Sequence, residues 1–178
     1  MIASDFISLL PETLLNTILS HSSTAVELAC GAGYLTALLA DRYPDCEFIG
    51  SDISTVVIDY ARNHNARPNI SYIPIDMRDF PNMTYRPDMI IASNVLEHYY
   101  KPFDLIDELL PITKHLVVMV PWNEMSVWPI EEGVSHHCTV FHDGSFDDFD
   151  IVEEWKFDTL GWQKHASREW TIVLKGEL

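Results

Sequence analysis

The chain has 178 residues, 47% of them hydrophobic, and a formal net charge of −16 at pH 7. That length suits one domain spanning residues 1–178 with a sizeable core, and is too short for two ordinary ones. The apolar content excludes a disordered chain. The acidity argues against a duplex nucleic acid or an anionic membrane surface as partner, because both call for a basic face. Arg62, Arg67, Arg78 and Arg86 are scattered and build no such face. Cys30, Cys46 and Cys138 have no paired spacing, which fits a reducing cytoplasm rather than a disulfide scaffold. The N-terminus lacks the basic flank of a secretory leader, and no apolar run reaches the ~20 residues that span a bilayer.

In chain order, Asp5 to His21 reads as an N-terminal helical region. Pro11 suits a helix start, and Leu14, Leu15, Ile18 and Leu19 make one apolar face for packing on a sheet. Thr24 to Leu28 is a first strand and Tyr34 to Arg42 a first helix, with Leu35, Leu38 and Leu39 at helical spacing. Between them Gly31 and Gly33 allow a sharp turn and the close approach of a ligand. The helix start adds unpaired N–H groups and a positive dipole end, which attract an anion. A dinucleotide fingerprint asks for a third Gly where Thr36 stands. Glu27, four residues before Gly31, suits a ligand carrying a cationic amine better than a pyrophosphate. The stretch Glu27-Leu28-Ala29-Cys30-Gly31-Ala32-Gly33 resembles motif I of the class I S-adenosylmethionine-dependent methyltransferases, acid-x-Gly-x-Gly-x-Gly, with Ala29 in place of the first Gly. The resemblance implies S-adenosyl-L-methionine as cofactor. It assigns Glu27, Ala29, Cys30, Gly31, Gly33 and Tyr34 to the cofactor site.

Glu47 to Asp52 is a second strand ending in an acid about twenty-five residues past Glu27. That is near the spacing of a carboxylate that accepts both ribose hydroxyls. Ser54 is a good N-cap for the helix to Asn63 and leaves Asp52 free for that role, with Ile53 beside it. Ile70 to Ile75 is a third strand. By resemblance, Asp76 accepts from the adenine amino group with Met77 alongside, while Asp79 reads as a surface acid. Asp88 to Ser93 is a fourth strand, continuous and apolar, as befits burial on both faces of a parallel sheet. Ser93-Asn94-Val95-Leu96-Glu97-His98 resembles the stretch after strand four in small-molecule methyltransferases such as ubiquinone-biosynthesis enzymes, roughly small-x-x-Leu-Glu-His. The resemblance puts Ser93 and Asn94 beside the methionine half of the cofactor, and Glu97 and His98 toward the substrate.

A helix from Asp104 to Leu110 and a fifth strand from His115 to Val120 follow. Met125 to Gly144 mixes Trp128, Glu131, Glu132, His136, His137 and His142, as a wall or lid over a pocket would. Phe149 to Trp155 and Trp170 to Lys175 read as strands joined through the turn Leu160-Gly161-Trp162. The expected architecture is α/β: a Rossmann-like, doubly wound, seven-stranded, mostly parallel sheet with an antiparallel C-terminal strand pair.

Methyl transfer is an in-line displacement in which positioning alone supplies roughly 7–11 kcal/mol. A base is needed only where the nucleophile loses a proton. His98 is the first candidate for it and His136 the second. His136, His137 and His142 with Asp143 or Glu132 match no zinc spacing, so no metal is expected. Cys30 sits at a helix start but reads as structural. The expected function is methyl transfer to a small molecule. The alternatives are a non-catalytic cofactor-binding subunit on the same fold and a nicotinamide-dependent oxidoreductase, the latter disfavoured by Thr36 and Glu27.

Overall fold

A computed structural model describes residues 10–11, 14–123, 137–158 and 168–178. Among them, seven strands form one sheet: β1 (Thr24–Leu28), β2 (Glu47–Asp52), β3 (Ile70–Pro74), β4 (Met89–Ser93), β5 (His115–Pro121), β6 (Ile151–Asp158) and β7 (Arg168–Lys175). Their spatial order is β3-β2-β1-β4-β5-β7-β6. Strands β1 to β5 are parallel, and β7 runs antiparallel between β5 and β6. Helices α1 (Tyr34–Arg42), α2 (Thr55–His64) and α3 (Pro102–Leu109) connect the parallel strands. This is the doubly wound sheet the residue pattern predicts.

The two-residue period of the strands divides their side chains between two cores. Val26 and Leu28, Ile90 and Ala92, and Leu116, Val118 and Val120 face α3 through Leu105, Ile106 and Leu109. The alternate positions Ala25, Met89, Ile91, Val117 and Met119 face α1 through Leu35 and Leu39, joined by Leu10, Leu14, Ile18 and Leu19. Burial on both faces is why β4 and β5 read as unbroken apolar runs. At the edge, β6 keeps only partial cover, and a bulge between Ile151 and Glu153 changes which side chains face which core. Ile151 therefore packs with the α3 side and Trp155 and Phe157 with the α1 side.

The N-terminal segment departs from a regular helix: Leu14–Ile18 is a π-helical turn leading into a 3₁₀ turn, Leu19–His21. The expected turn at Leu160-Gly161-Trp162 lies outside the described residues. Among those described, no helix is long and apolar enough to cross a membrane. The strand order reverses at the β1/β4 boundary. Open α/β sheets bind ligands outside the carboxyl ends of the strands at such a point.

Candidate active site

Among the described residues, three non-glycine residues adopt positive φ, and all lie just past the carboxyl ends of β1, β4 and β5: Ala29 (54°), Asn94 (49°) and Asn123 (53°). Left-handed backbone is unfavourable for residues with a Cβ, least so for Asn, and it concentrates at functional turns. After β1 the chain continues through Gly31 (54°) and Gly33 (76°) into α1. The loop is anchored to β2, with Cys30 N donating to Ser51 O at 2.8 Å and Ser51 Oγ donating to Glu27 O at 3.1 Å. The two glycines have different reasons to be there. A Cβ on Gly33 would lie 2.6 Å from the ring and hydroxyl of Tyr72, whereas one on Gly31 would meet nothing within 4 Å.

Asp52 closes this loop from the end of β2. Its Oδ2 accepts from Gly31 N at 3.0 Å and its Oδ1 from Ser54 N at 2.9 Å. Ser54 precedes the helix as expected but makes no side-chain cap bond, a correction to the sequence reading, and Asp52 is not left free, since it accepts the backbone N–H of Ser54 itself. Two of its roughly four lone-pair positions remain. Asp52 lines a cleft of about 270 Å³ together with Ala29, Ile53, Asp76, Met77 and His98. Ile53 is exposed and offers an apolar face, while Met77 is buried.

Other expected residues sit differently. Glu27 is 5% exposed, turned beneath the loop, and accepts from the hydroxyl of the fully buried Thr36. Burial raises its carboxyl to about 7 despite that bond. Thr36, which breaks the dinucleotide pattern, is thus the partner of Glu27. The Cys30 side chain packs with Ile58, Ala61 and Tyr72, and burial pushes its thiol above the ordinary range, which removes it as a nucleophile. Tyr34 is half exposed and its hydroxyl lies 3.3 Å from that of Tyr60, away from the cleft lining. Asp76 accepts from Arg78 N and Nε, each at 3.0 Å, and this pairing holds its carboxyl below the usual range. Arg78, isolated from the other arginines in sequence, also lines the cleft, as do Val95 and Tyr99. Their places beside Asp76 and Leu96-Glu97-His98 were the available signal.

Ser93 ends β4, pairing with Met119, and Asn94 N donates to Met119 O at 2.8 Å. The Asn94 side-chain nitrogen is buried with no hydrogen-bond partner among the described residues. A 3₁₀ turn, Leu96–His98, then presents His98, which is one-third exposed. His136 lies outside the described residues, but its neighbour His137 meets His98 edge to face, with ring centroids 5.1 Å apart. His98 Nε2 is also 3.9 Å from Glu97 Oε1, and Glu97 is 2% exposed. The segment carrying His137 is stapled there by its backbone: Cys138 N and Thr139 N donate to Glu97 O at 2.6 and 3.0 Å. His142 stands elsewhere, bonded to Ser145. A larger cavity of about 730 Å³ lies at the opposite end of the sheet, between α3 and the stretch after β7, and holds none of the candidate residues.

A family model described as a methyltransferase domain matches residues 25–115. That span contains the β1 loop, Asp52, Asp76, Asn94 and His98. Over 74 residues the chain is 30% identical to a malonyl-(acyl-carrier protein) O-methyltransferase of Acetivibrio thermocellus, covering 42% of this chain and 26% of that protein. Over 87 residues it is 37% identical to a trans-aconitate 2-methyltransferase of Methylobacterium radiotolerans, covering 48% and 32%. The chain thus spans about a quarter to a third of the length of these two curated relatives. Its fold is similar to that of the N-methyltransferase NodS from Bradyrhizobium japonicum, solved in complex with S-adenosyl-L-homocysteine. The TM-score is 0.72 at 18% identity, over 98% of this chain and 87% of that one.

Proposed function

This chain belongs to the methyltransferase-domain family, and from that premise we propose that it transfers a methyl group from S-adenosyl-L-methionine to a small-molecule acceptor. The observation that carries the reading is Asp52, held by the Gly31 and Ser54 amides at the switch point with acceptor capacity to spare. The site fits that cofactor on two further counts. Gly31 borders open space where a side chain would intrude, and Asn94 has a buried side-chain donor suited to a carboxylate. A buried donor left unpaired is costly, so a ligand that accepts from it gains affinity.

In this reading Asp52 accepts from the ribose hydroxyls, and Ile53 and Met77 give the adenine an apolar seat. Asp76, already fixed by Arg78, has acceptor capacity for the adenine amine. Asn94 Nδ2 donates to the amino-acid carboxylate, beside the β1 loop. Glu27 acts from beneath: through Thr36 it ties β1 to the start of α1 and so holds the loop between them. When bound, the cofactor would supply an already activated methyl group. The protein's part is to align the acceptor and exclude water. His98 stands at the acceptor end of the cleft and handles the proton an acceptor must lose.

Calorimetry with S-adenosylmethionine, S-adenosylhomocysteine and NAD tests the cofactor, and transfer of a labelled methyl group into small-molecule extract tests turnover. Saturable binding of the first two with none of NAD is the expected result. Absence of binding to either at millimolar concentration overturns the proposal.

A further inference from the structure

We propose that Glu97, His98 and His137 form a binding site for a divalent transition-metal ion of the zinc type at the acceptor end of the cleft. Each offers one ligand atom, and these atoms lie within 4.8 Å of one another. Tetrahedral zinc bonds of about 2.0–2.1 Å place ligand atoms roughly 3.3 Å apart, so side-chain rotations that move atoms on the order of 1 Å close the shell. Two imidazole nitrogens and one carboxylate suit zinc, iron or nickel, whereas magnesium and calcium take oxygen donors.

The scaffold behind these ligands is fixed independently of the ligating side chains. Glu97 and His98 are neighbours in a 3₁₀ turn, and the Glu97 carbonyl receives both the Cys138 and the Thr139 amides. Thr139 Oγ1 donates to Tyr99 O at 2.5 Å, a third staple across the same seam. His137 is therefore held opposite His98 by main-chain bonds, which makes a preset pair of imidazoles. The carboxylate of Glu97 is almost fully buried beside them. No sequence motif announces the site, because its third ligand arrives through backbone pairing of an irregular segment.

Three protein ligands leave a coordination position for water or substrate, the arrangement of catalytic rather than structural zinc. His98 belongs to both the cluster and the cleft wall. An ion there adjoins the place assigned to the acceptor. In the ion-bound protein His98 acts by ligation. A hydroxyl-bearing acceptor coordinates through oxygen, is acidified by the ion and releases its proton to solvent. This role rests on the methyltransferase reading; binding of the ion does not.

The test is calorimetric titration of chelator-stripped, dialysed full chain with zinc chloride, and in parallel with magnesium chloride. One zinc per chain with micromolar or tighter affinity, at least 100-fold weaker magnesium binding, and a cobalt-substituted form with tetrahedral visible absorption are expected. His137→Ala, at a partly exposed position, should weaken zinc at least tenfold. Glu97→Gln should do the same with an unchanged circular dichroism spectrum, and His64→Ala on α2 should match the parent. Absence of saturable zinc binding, or one-site binding of parental affinity in His137→Ala, overturns the inference. S-adenosylhomocysteine is titrated separately into stripped protein. Its binding without zinc binding removes the metal site and leaves the proposed function standing; the reverse removes the function and leaves the site.

Discussion

Alanine at position 33 would push a methyl group into the ring of Tyr72. The ideal Cβ lies 2.6 Å from Cε1 and from the hydroxyl, and 2.7 Å from Cζ. Tyr72 has little room to yield: it is 6% exposed, and its hydroxyl donates to Gly33 O and Asn65 O, each at 3.1 Å. Gly31 supplies the internal control, since its φ of 54° is also left-handed but a Cβ there meets nothing. Left-handed strain destabilises either alanine variant by about 1–2 kcal/mol, and the narrower unfolded ensemble of alanine offsets about 0.4–1 of it. Gly31→Ala should therefore lose about 1 kcal/mol. Gly33→Ala carries the same strain plus overpacking of about 1–3 kcal/mol and a threatened hydrogen bond of about 1. Its loss should be about 3 kcal/mol. The difference of about 2 kcal/mol corresponds to roughly 4–8 °C in melting midpoint for a chain of this size. Urea unfolding followed by tryptophan fluorescence measures it, and a Tyr72→Leu background should shrink the gap by removing the ring. Equal midpoints for the two variants would refute the reasoning, because the shared φ term would then be the whole effect.

Asp52→Ala should weaken S-adenosylhomocysteine binding by about 1–3 kcal/mol, roughly 5- to 150-fold by calorimetry, and unchanged affinity counts against the ribose role. The Glu27 carboxyl has an ordinary value of 4.5 and is raised to about 7 in the fold. Between those values the native state holds a proton the unfolded chain has released, so stability falls as pH rises from about 4.5 to 7, by on the order of 3 kcal/mol from this group. Glu27→Gln should lose that component, gaining on the parent protein as pH rises; parallel pH profiles of unfolding free energy would contradict the assignment. His98→Ala should lower turnover more than cofactor affinity, and the opposite pattern in steady-state and binding measurements would move His98 into the cofactor pocket.

The β1 loop was readable because two chemical demands coincide in a few adjacent residues: buried β-forming side chains up to Leu28, then glycines where the backbone turns left-handed. β4 and β5 were readable for a related reason, as burial on both faces leaves no polar position to interrupt the run. Edge strand β6 was placed early because its bulge and partial exposure blur the two-residue period. Glu27 was expected to meet the ligand directly, and its bond to Thr36 escaped notice because helix and strand periodicity do not reveal which polar groups pair when α1 lies down on β1. The meeting of His98 with His137 was hidden more deeply. It depends on amides of Cys138 and Thr139 reaching a carbonyl some forty residues earlier, and main-chain bonds of that kind impose no side-chain pattern.

The place of β7 between β5 and β6 has a consequence for how the chain is made. β5 is buried along Leu116 to Pro121, and along its outer side it is paired only by β7, residue for residue from His115↔Lys175 to Pro121↔Glu169. Until β7 leaves the ribosome, a growing chain therefore displays a bare, greasy ribbon with unfilled amides, the kind of surface on which nascent chains stick together. Chaperone dependence and loss to inclusion bodies should fall mainly within that interval, and any truncation that removes β7 should make it permanent.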